Sequence, residues 1–376
     1  RYLGDVMYLK QAFIENSGSI RSLNLTLDFT DQGLPKPLIL VGGNGGGKTN
    51  FLSTVADALF EAAAVHYTNL LTFAGQGRNW FRVVGGPSVS LGATGSVSLL
   101  RFDDAGEQRF FKEKSGILNA EDMKKRISQD FSNQVSWLSS GNENIKEFSV
   151  NDARSEKIFS DGAYVYFPSS RSEVPYWLNQ DALPEQATSS EVMFDTARRV
   201  AKKLRKPLYV EHPLGQFKQW LIGLLADARA SIAIKFQDEK RIGWELQGYY
   251  GEALYSSTVL DKCNKILQEI WGNEKASFLW LGRKSPDKVS VAVNGQLAIP
   301  NLDALSSGQA ILLGMFGTLL RYGDISGQSP ELNLETIEGV CIIDEIDAHI
   351  HIELQNKVGS STSQVEWKTS SMASMG

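Results

Sequence analysis

The chain of 376 residues contains only two cysteines, Cys263 and Cys341, too few for a disulfide framework or a Cys-rich zinc site. A reducing cytoplasm is the simplest setting. Neither sign of charge dominates: the formal net charge of -5 excludes a global pull toward nucleic acid or anionic membrane and leaves such contacts to local patches. Long apolar runs are also missing. The longest, "AILLGMFGTLL" at Ala310–Leu320, is too short to span a bilayer, no export signal is visible, and no membrane partner is expected. No heptad pattern is sustained, so a long coiled coil is not expected, and no internal repeat stands out. Apolar residues nevertheless make up 42% of the chain, enough for a real core in two or three domains.

Glycine, by contrast, is concentrated in one place. In "PLILVGGNGGGKTNFL", Pro37–Leu52, the branched, uncharged run Leu38–Val41 predicts a strand buried on both faces of a parallel sheet. Behind it, Gly42, Gly43, Asn44, Gly45, Gly46 and Gly47 lead into Lys48, Thr49 and Asn50, in the pattern G-x-x-x-x-G-K-[ST]. The following segment predicts a helix with Leu52, Val55 and Leu59 on one face. A phosphate chain is wrapped by inward-pointing backbone N–H groups, which side chains at these positions would hold off, and the helix start adds its positive dipole end. In that reading Lys48 reaches the β- and γ-phosphates of ATP and the Thr49 hydroxyl holds Mg²⁺.

A second pair of signals lies near the other end. "KVSVAVNGQLAIP" predicts a hairpin turning at Asn294-Gly295. After it comes a helix with Ile311, Met315 and Leu319 beside Leu312, Phe316 and Leu320, a broad apolar face. Its start, Ser306, Ser307, Gly308 and Gln309, reads either as a plain N-cap or as an anion-binding helix terminus. Val340–Ile343 predicts another buried strand, which delivers Asp344 and Glu345 at its carboxyl end, where ligands bind in open α/β sheets. Adjacent carboxylates there are costly without a cation. Asp344 is therefore assigned to Mg²⁺ and Glu345 to polarising an attacking water, with an acidic strand cap as the bland alternative.

With these three pieces in order, the sequence resembles the ABC-type ATPases of the SMC, Rad50 and RecF class. "GGNGGGKTNFL" is similar to their Walker A, "LSSGQ" to their signature motif and "CIIDEIDAHIH" to their Walker B, while "FIENSGSIRSLNLTLDF" is similar to their first strands. "FPSSRSEVPYW" at Phe167–Trp177 and the pair His349 and His351 resemble compact bacterial ATPases of antiphage defence, of the Septu, retron-associated or overcoming-lysogenization-defect kind. The resemblance implies an α/β P-loop NTPase head with a mixed central sheet, N-terminal antiparallel strands and a largely helical insertion. It also implies function in pairs, with Ser306, Ser307, Gly308 and Gln309 of one subunit capping the γ-phosphate held by another. A homodimer or higher oligomer is expected, together with a partner nuclease of HNH or Toprim type or a reverse transcriptase complex. Ser307 stands where such heads more often carry glycine. They also continue past Walker B through a D-loop, a strand and a switch histidine, for which little chain remains, so an incomplete lobe or slow turnover is expected. Arg171 is the substitute candidate for their γ-phosphate-sensing glutamine.

The expected division is an N-terminal ATPase lobe over 1–100, a mixed, mainly helical insertion over 101–275, a C-terminal ATPase lobe over 276–358, and a Ser-rich tail outside the fold over 359–376. Arg198, Arg199, Lys202, Lys203, Arg205 and Lys206 would line a helix with enough positive charge to meet nucleic-acid phosphates, although a solvated face is the default reading. His349 and His351 would share one side of a strand but have no third metal ligand nearby.

Overall fold

In a computed structural model of the chain, the described residues are 6–67, 70, 89–134, 144–169, 202–230, 250–282, 284–327, 332–347 and 369–375. β1 (Met7–Ser17) pairs antiparallel with β2 (Ile20–Thr26), and Leu23 and Leu25 of β2 turn toward a core while Arg21, Asn24 and Thr26 do not. Of these first two strands, only β2 follows from alternation, since β1 is buried along almost its whole length. β3 (Leu38–Val41) then leads through the glycine loop into α1 (Lys48–Ala63). β4 (Gly95–Asp104), β5 (Glu107–Gly116) and β6 (Ile145–Phe148) complete a five-stranded antiparallel sheet of order β2-β1-β4-β5-β6. α2 (Ala120–Arg126) is capped by Asn119, whose side chain accepts from the amides of Glu121 and Asp122.

The central sheet is parallel, in the order β3-β12-β11-β7, where β7 is Ala163–Phe167, β11 is Gly339–Ile343 and β12 is Thr369–Met375. Because side chains alternate across a strand, its two faces feed two cores. Tyr164, Tyr166, Val340 and Ile342 pack with α1 and the antiparallel sheet. Ala163, Val165, Phe167, Cys341 and Ile343 pack with α4 (Pro213–Ala230), α5 (Tyr250–Trp271) and α6 (Ser307–Ser326). α3 (Asp152–Asp161) runs directly into β7, and a small antiparallel sheet, β10-β9-β8, closes the second core. Its strands are β8 (Ala276–Trp280), β9 (Val289–Val293) and β10 (Gln296–Ile299), and β9 and β10 turn at Asn294-Gly295, both at positive φ as expected.

Several expectations are corrected. The boundary at 100/101 falls inside β4, and residues up to Phe148 belong to the antiparallel sheet, so the helical insertion does not begin at 101. Charged residues at buried positions of these strands, Asp104, Glu113 and Lys114, hid their pattern from the sequence. β3 is not buried on both faces: Leu38 and Leu40 face the α1 core, but Ile39 and Val41 are 46% and 76% exposed, because β3 is the edge of the sheet among the described residues. Nor does the whole tail lie outside the fold. Thr369–Met375 forms β12, with Thr369 opposite Gly339 and Met372 opposite Leu38, a strand after β11 that was not expected. Ser and Met give no β-branched signal, so its backbone pairing on both sides is what makes it a strand.

Candidate functional site

The glycine loop is exposed from Gly42 to Gly46, Asn44 included, and only Gly47, Lys48, Thr49 and Asn50 are half-buried. Its form is set by backbone that side chains do not easily adopt: Gly45 lies at φ +80° and Gly47, the residue before α1, at φ +90°. At Gly47 a methyl group would meet the Ile20 side chain at 2.6 Å, so the β1–β2 turn forms a wall behind the loop. Gly47→Ala is therefore expected to cost about 1–3 kcal/mol of local strain and to weaken ATP binding, measurable by thermal melting and titration calorimetry. Wild-type affinity in that variant would mean the loop does not shape the site.

Lys48 donates to the carbonyls of Gly42 at 2.5 Å and Gly43 at 3.2 Å, and the Gly46 amide also reaches the Gly43 carbonyl. α1 begins with no side-chain cap and no acidic residue in its first turn, so nothing on the side-chain level competes with an anion there. Asn50 turns toward the wall, its amide 3.4 Å from the Ser19 hydroxyl. Ser19 and Ile20 escaped the sequence reading, because a turn between two strands carries no motif.

The other half arrives from β11. Asp344 is fully buried, its amide donates to the Phe167 carbonyl of β7 at 3.0 Å, and its Oδ2 accepts from Thr49 Oγ1 at 2.8 Å. Residues 295 apart in sequence thus share one hydrogen bond at the carboxyl edge of the sheet. Glu345, the next residue, is half-buried and sits at φ +50°, an uncommon conformation for a residue with a side chain. Cys341, three residues before Asp344, is no nucleophile, since burial pushes its thiol up to about 12.

Among the described residues, no hydrogen bond joins Ser306–Gln309 to this site. Ser306 and Ser307 are exposed, Gly308 is buried, and Ser306 and Gln309 form a reciprocal capping box at the start of α6. Both readings of the segment are compatible with that geometry. The face from Ile311 to Leu320 is buried as expected, with Phe316 only partly so. Gly314 and Gly317 leave α6 bare where the start of α4 and the Phe217 ring press against it.

The basic stretch is corrected where it can be seen. Lys202 lies in a turn at φ +63° with its ammonium 3.3 Å from Asp152, so residues 202–206 do not continue a helix. Lys203 and Arg205 are exposed, but Lys206 is buried and donates to the carbonyls of Ser160 and Gly162 and to the Ser326 hydroxyl. Burial draws its ammonium down to about 7, which unsuits it for phosphate contact. Arg198, Arg199, Arg171, His349 and His351 lie outside the described residues.

No helix among the described residues is long and apolar enough to cross a membrane. No protein-family profile matches the chain, and no curated protein resembles it in sequence. Among solved structures it is similar to an SMC head bound to the C-terminal winged-helix domain of ScpA, at 11% identity and a TM-score of 0.44 over 98% of this chain and 89% of that one. It is also similar to the recombination mediator RecF in a nucleotide-bound form, at 12% identity and a TM-score of 0.40 over 100% and 94% of the two chains, and to the SMC head domain from Thermotoga maritima, at 13% identity and a TM-score of 0.40 over 98% and 88%.

Proposed function

We propose that this chain binds ATP with Mg²⁺ and hydrolyses it, as an ABC-type head that works in pairs and gates a partner nuclease or nucleic-acid complex of the bacterial cytoplasm, in antiphage defence. The observation that carries the ATP-binding reading is the 2.8 Å bond between Thr49 and Asp344, which joins the glycine loop to the acidic strand tip. The loop amides from Gly42 to Gly47 and the start of α1 would hold the phosphates, and Lys48 would stabilise charge on the β- and γ-oxygens. Thr49 and Asp344 are hard oxygen donors, and no cluster of three or more His, Cys, Asp or Glu among the described residues offers a closed cage. Such a two-donor site suits Mg²⁺, which keeps waters and shares phosphate oxygens, and the chemistry it supplies there is charge neutralisation on the transferred group. Glu345 would orient the attacking water in line with the γ-phosphate. Ser306, Ser307, Gly308 and Gln309 would face the nucleotide of a second copy. The partner and the defence role rest on the motif resemblance alone. A nucleic-acid-repair head is less favoured, since Lys206 is buried and Lys202 is paired with Asp152.

The direct test is titration calorimetry of the purified chain with ATP, with and without Mg²⁺, alongside phosphate release. Mg²⁺-dependent binding is the expected result. No binding under either condition would sink the reading, whereas tight binding with no release over hours would favour a nucleotide-held scaffold that keeps an effector inactive.

A further inference from the structure

α6 is tied to α4 along its length: Gln216 accepts from Arg321, Trp220 donates to Asp324, and Phe217 lies against Gly317. One further tie from α4 bypasses α6 and reaches the segment in front of it. Lys218 donates to Asp303 Oδ1, with both side chains almost sealed from solvent, 7% and 3% exposed. Asp303 sits in the short 3-10 turn Leu302–Ala304, three residues before Ser306. The same turn is clamped from the opposite direction. Asn301 accepts from the Ala304 amide at 3.0 Å and donates to Asp287 at 3.1 Å, in the connection between β8 and β9.

This ion pair is a poor device for stability. The second Asp303 oxygen is buried with no hydrogen-bond partner among the described residues. Desolvating two charges offsets their attraction, and an apolar pair of similar volume often serves a core at least as well. What a lone buried pair does supply is a defined location for the groups that it joins. Here it defines where the turn meets α4, and hence where Ser306 and the start of α6 stand relative to the central sheet.

We infer that Lys218 is a positioning residue for Ser306–Gln309, acting through Asp303. The inference rests on the reading above, in which that segment meets the γ-phosphate held by a second copy. A displacement of about 1 Å at such a contact is enough to lower turnover about 100-fold. ATP itself would be gripped at the carboxyl edge of the sheet, by Gly42–Thr49, which makes no contact with Lys218 among the described hydrogen bonds, so its affinity for a single copy should not depend on Lys218.

The experiment uses the full chain, with ATP affinity by titration calorimetry, kcat and KM by phosphate release, and thermal midpoint for each variant. Lys218→Met and Asp303→Asn are expected to lower kcat by about 10- to 100-fold with ATP affinity within about twofold of wild type. Lys218→Arg is expected to recover most of the loss. Since either single change leaves a buried polar group stranded and could unfold the chain, K218M/D303M is the deciding variant: it should melt no earlier than wild type and still turn over slowly. If wild type holds ATP without releasing phosphate, ATP-driven association measured by sedimentation takes the place of kcat, with the same expected loss. A folded K218M/D303M with wild-type turnover or association overturns the inference, and so does a matching loss of ATP affinity. Failure of the wild type to bind ATP would instead remove the underlying reading and this role with it.

Discussion

Replacing Glu345 with glutamine is expected to lower phosphate release by about 10²- to 10⁴-fold while ATP stays bound, the range removed when a positioned general base is lost. The substitution keeps the shape of the side chain and one acceptor oxygen, replaces the other oxygen by an NH2 donor, and takes away the negative charge and with it the capacity to accept a proton. Glu345 follows directly on the buried Asp344, half-shielded from water, at the carboxyl end of a strand held on both sides by backbone pairing. Its φ of +50° is costly for a residue with a side chain, roughly 1–2 kcal/mol, and the surrounding strands must hold it there. Residues kept in such conformations concentrate at working positions, where strain fixes direction. Filter binding and single-turnover kinetics on the variant separate the two outcomes. Turnover equal to wild type would show that another group activates the water.

Lys48→Met should cost ATP affinity on the order of 100-fold, corresponding to one strong charge-assisted contact, roughly 2–3 kcal/mol. Methionine preserves the apolar stem and removes the ammonium, which in this structure bridges the carbonyls of Gly42 and Gly43. The variant would therefore lose the proposed contact to phosphate together with a brace of the loop. The fold should survive, because the core residues of α1, from Phe51 to Ala63, lie beyond the substituted position. An unchanged thermal midpoint with weakened calorimetric binding is the expected pair of results. Undiminished affinity would place the phosphates elsewhere and break the link between the glycine loop and function.

Some features were legible in the sequence because their causes are local. The turn at Asn294-Gly295 needs positive φ at both residues, and the Ser306/Gln309 capping box needs only a spacing of three. The fully buried run Gly339–Ile343 shows as an unbroken apolar stretch. Other features depend on partners distant in the chain. β4 joins the N-terminal sheet by pairing with β1, with β5 and β6 added in turn beyond it, and the exposed face of β3 follows from its place at the sheet's edge. Lys206 reads as one more cation in a basic run until its three acceptors, Ser160 of α3, Gly162 just after it and Ser326 of α6, are seen around it.

The candidate site divides along the same line. By itself the sequence determined the chemistry available at each end: a glycine loop that can bend around phosphate, an ammonium and a hydroxyl at a helix start, and two carboxylates at a strand tip. Only the tertiary structure decided that these ends meet, with Thr49 and Asp344 at 2.8 Å, and that Ser306–Gln309 stands apart from them on a helix braced by α4. The physical reason is that strand pairing and face-to-face packing are settled by backbone hydrogen bonds and buried area between remote segments, which no local pattern of residues encodes.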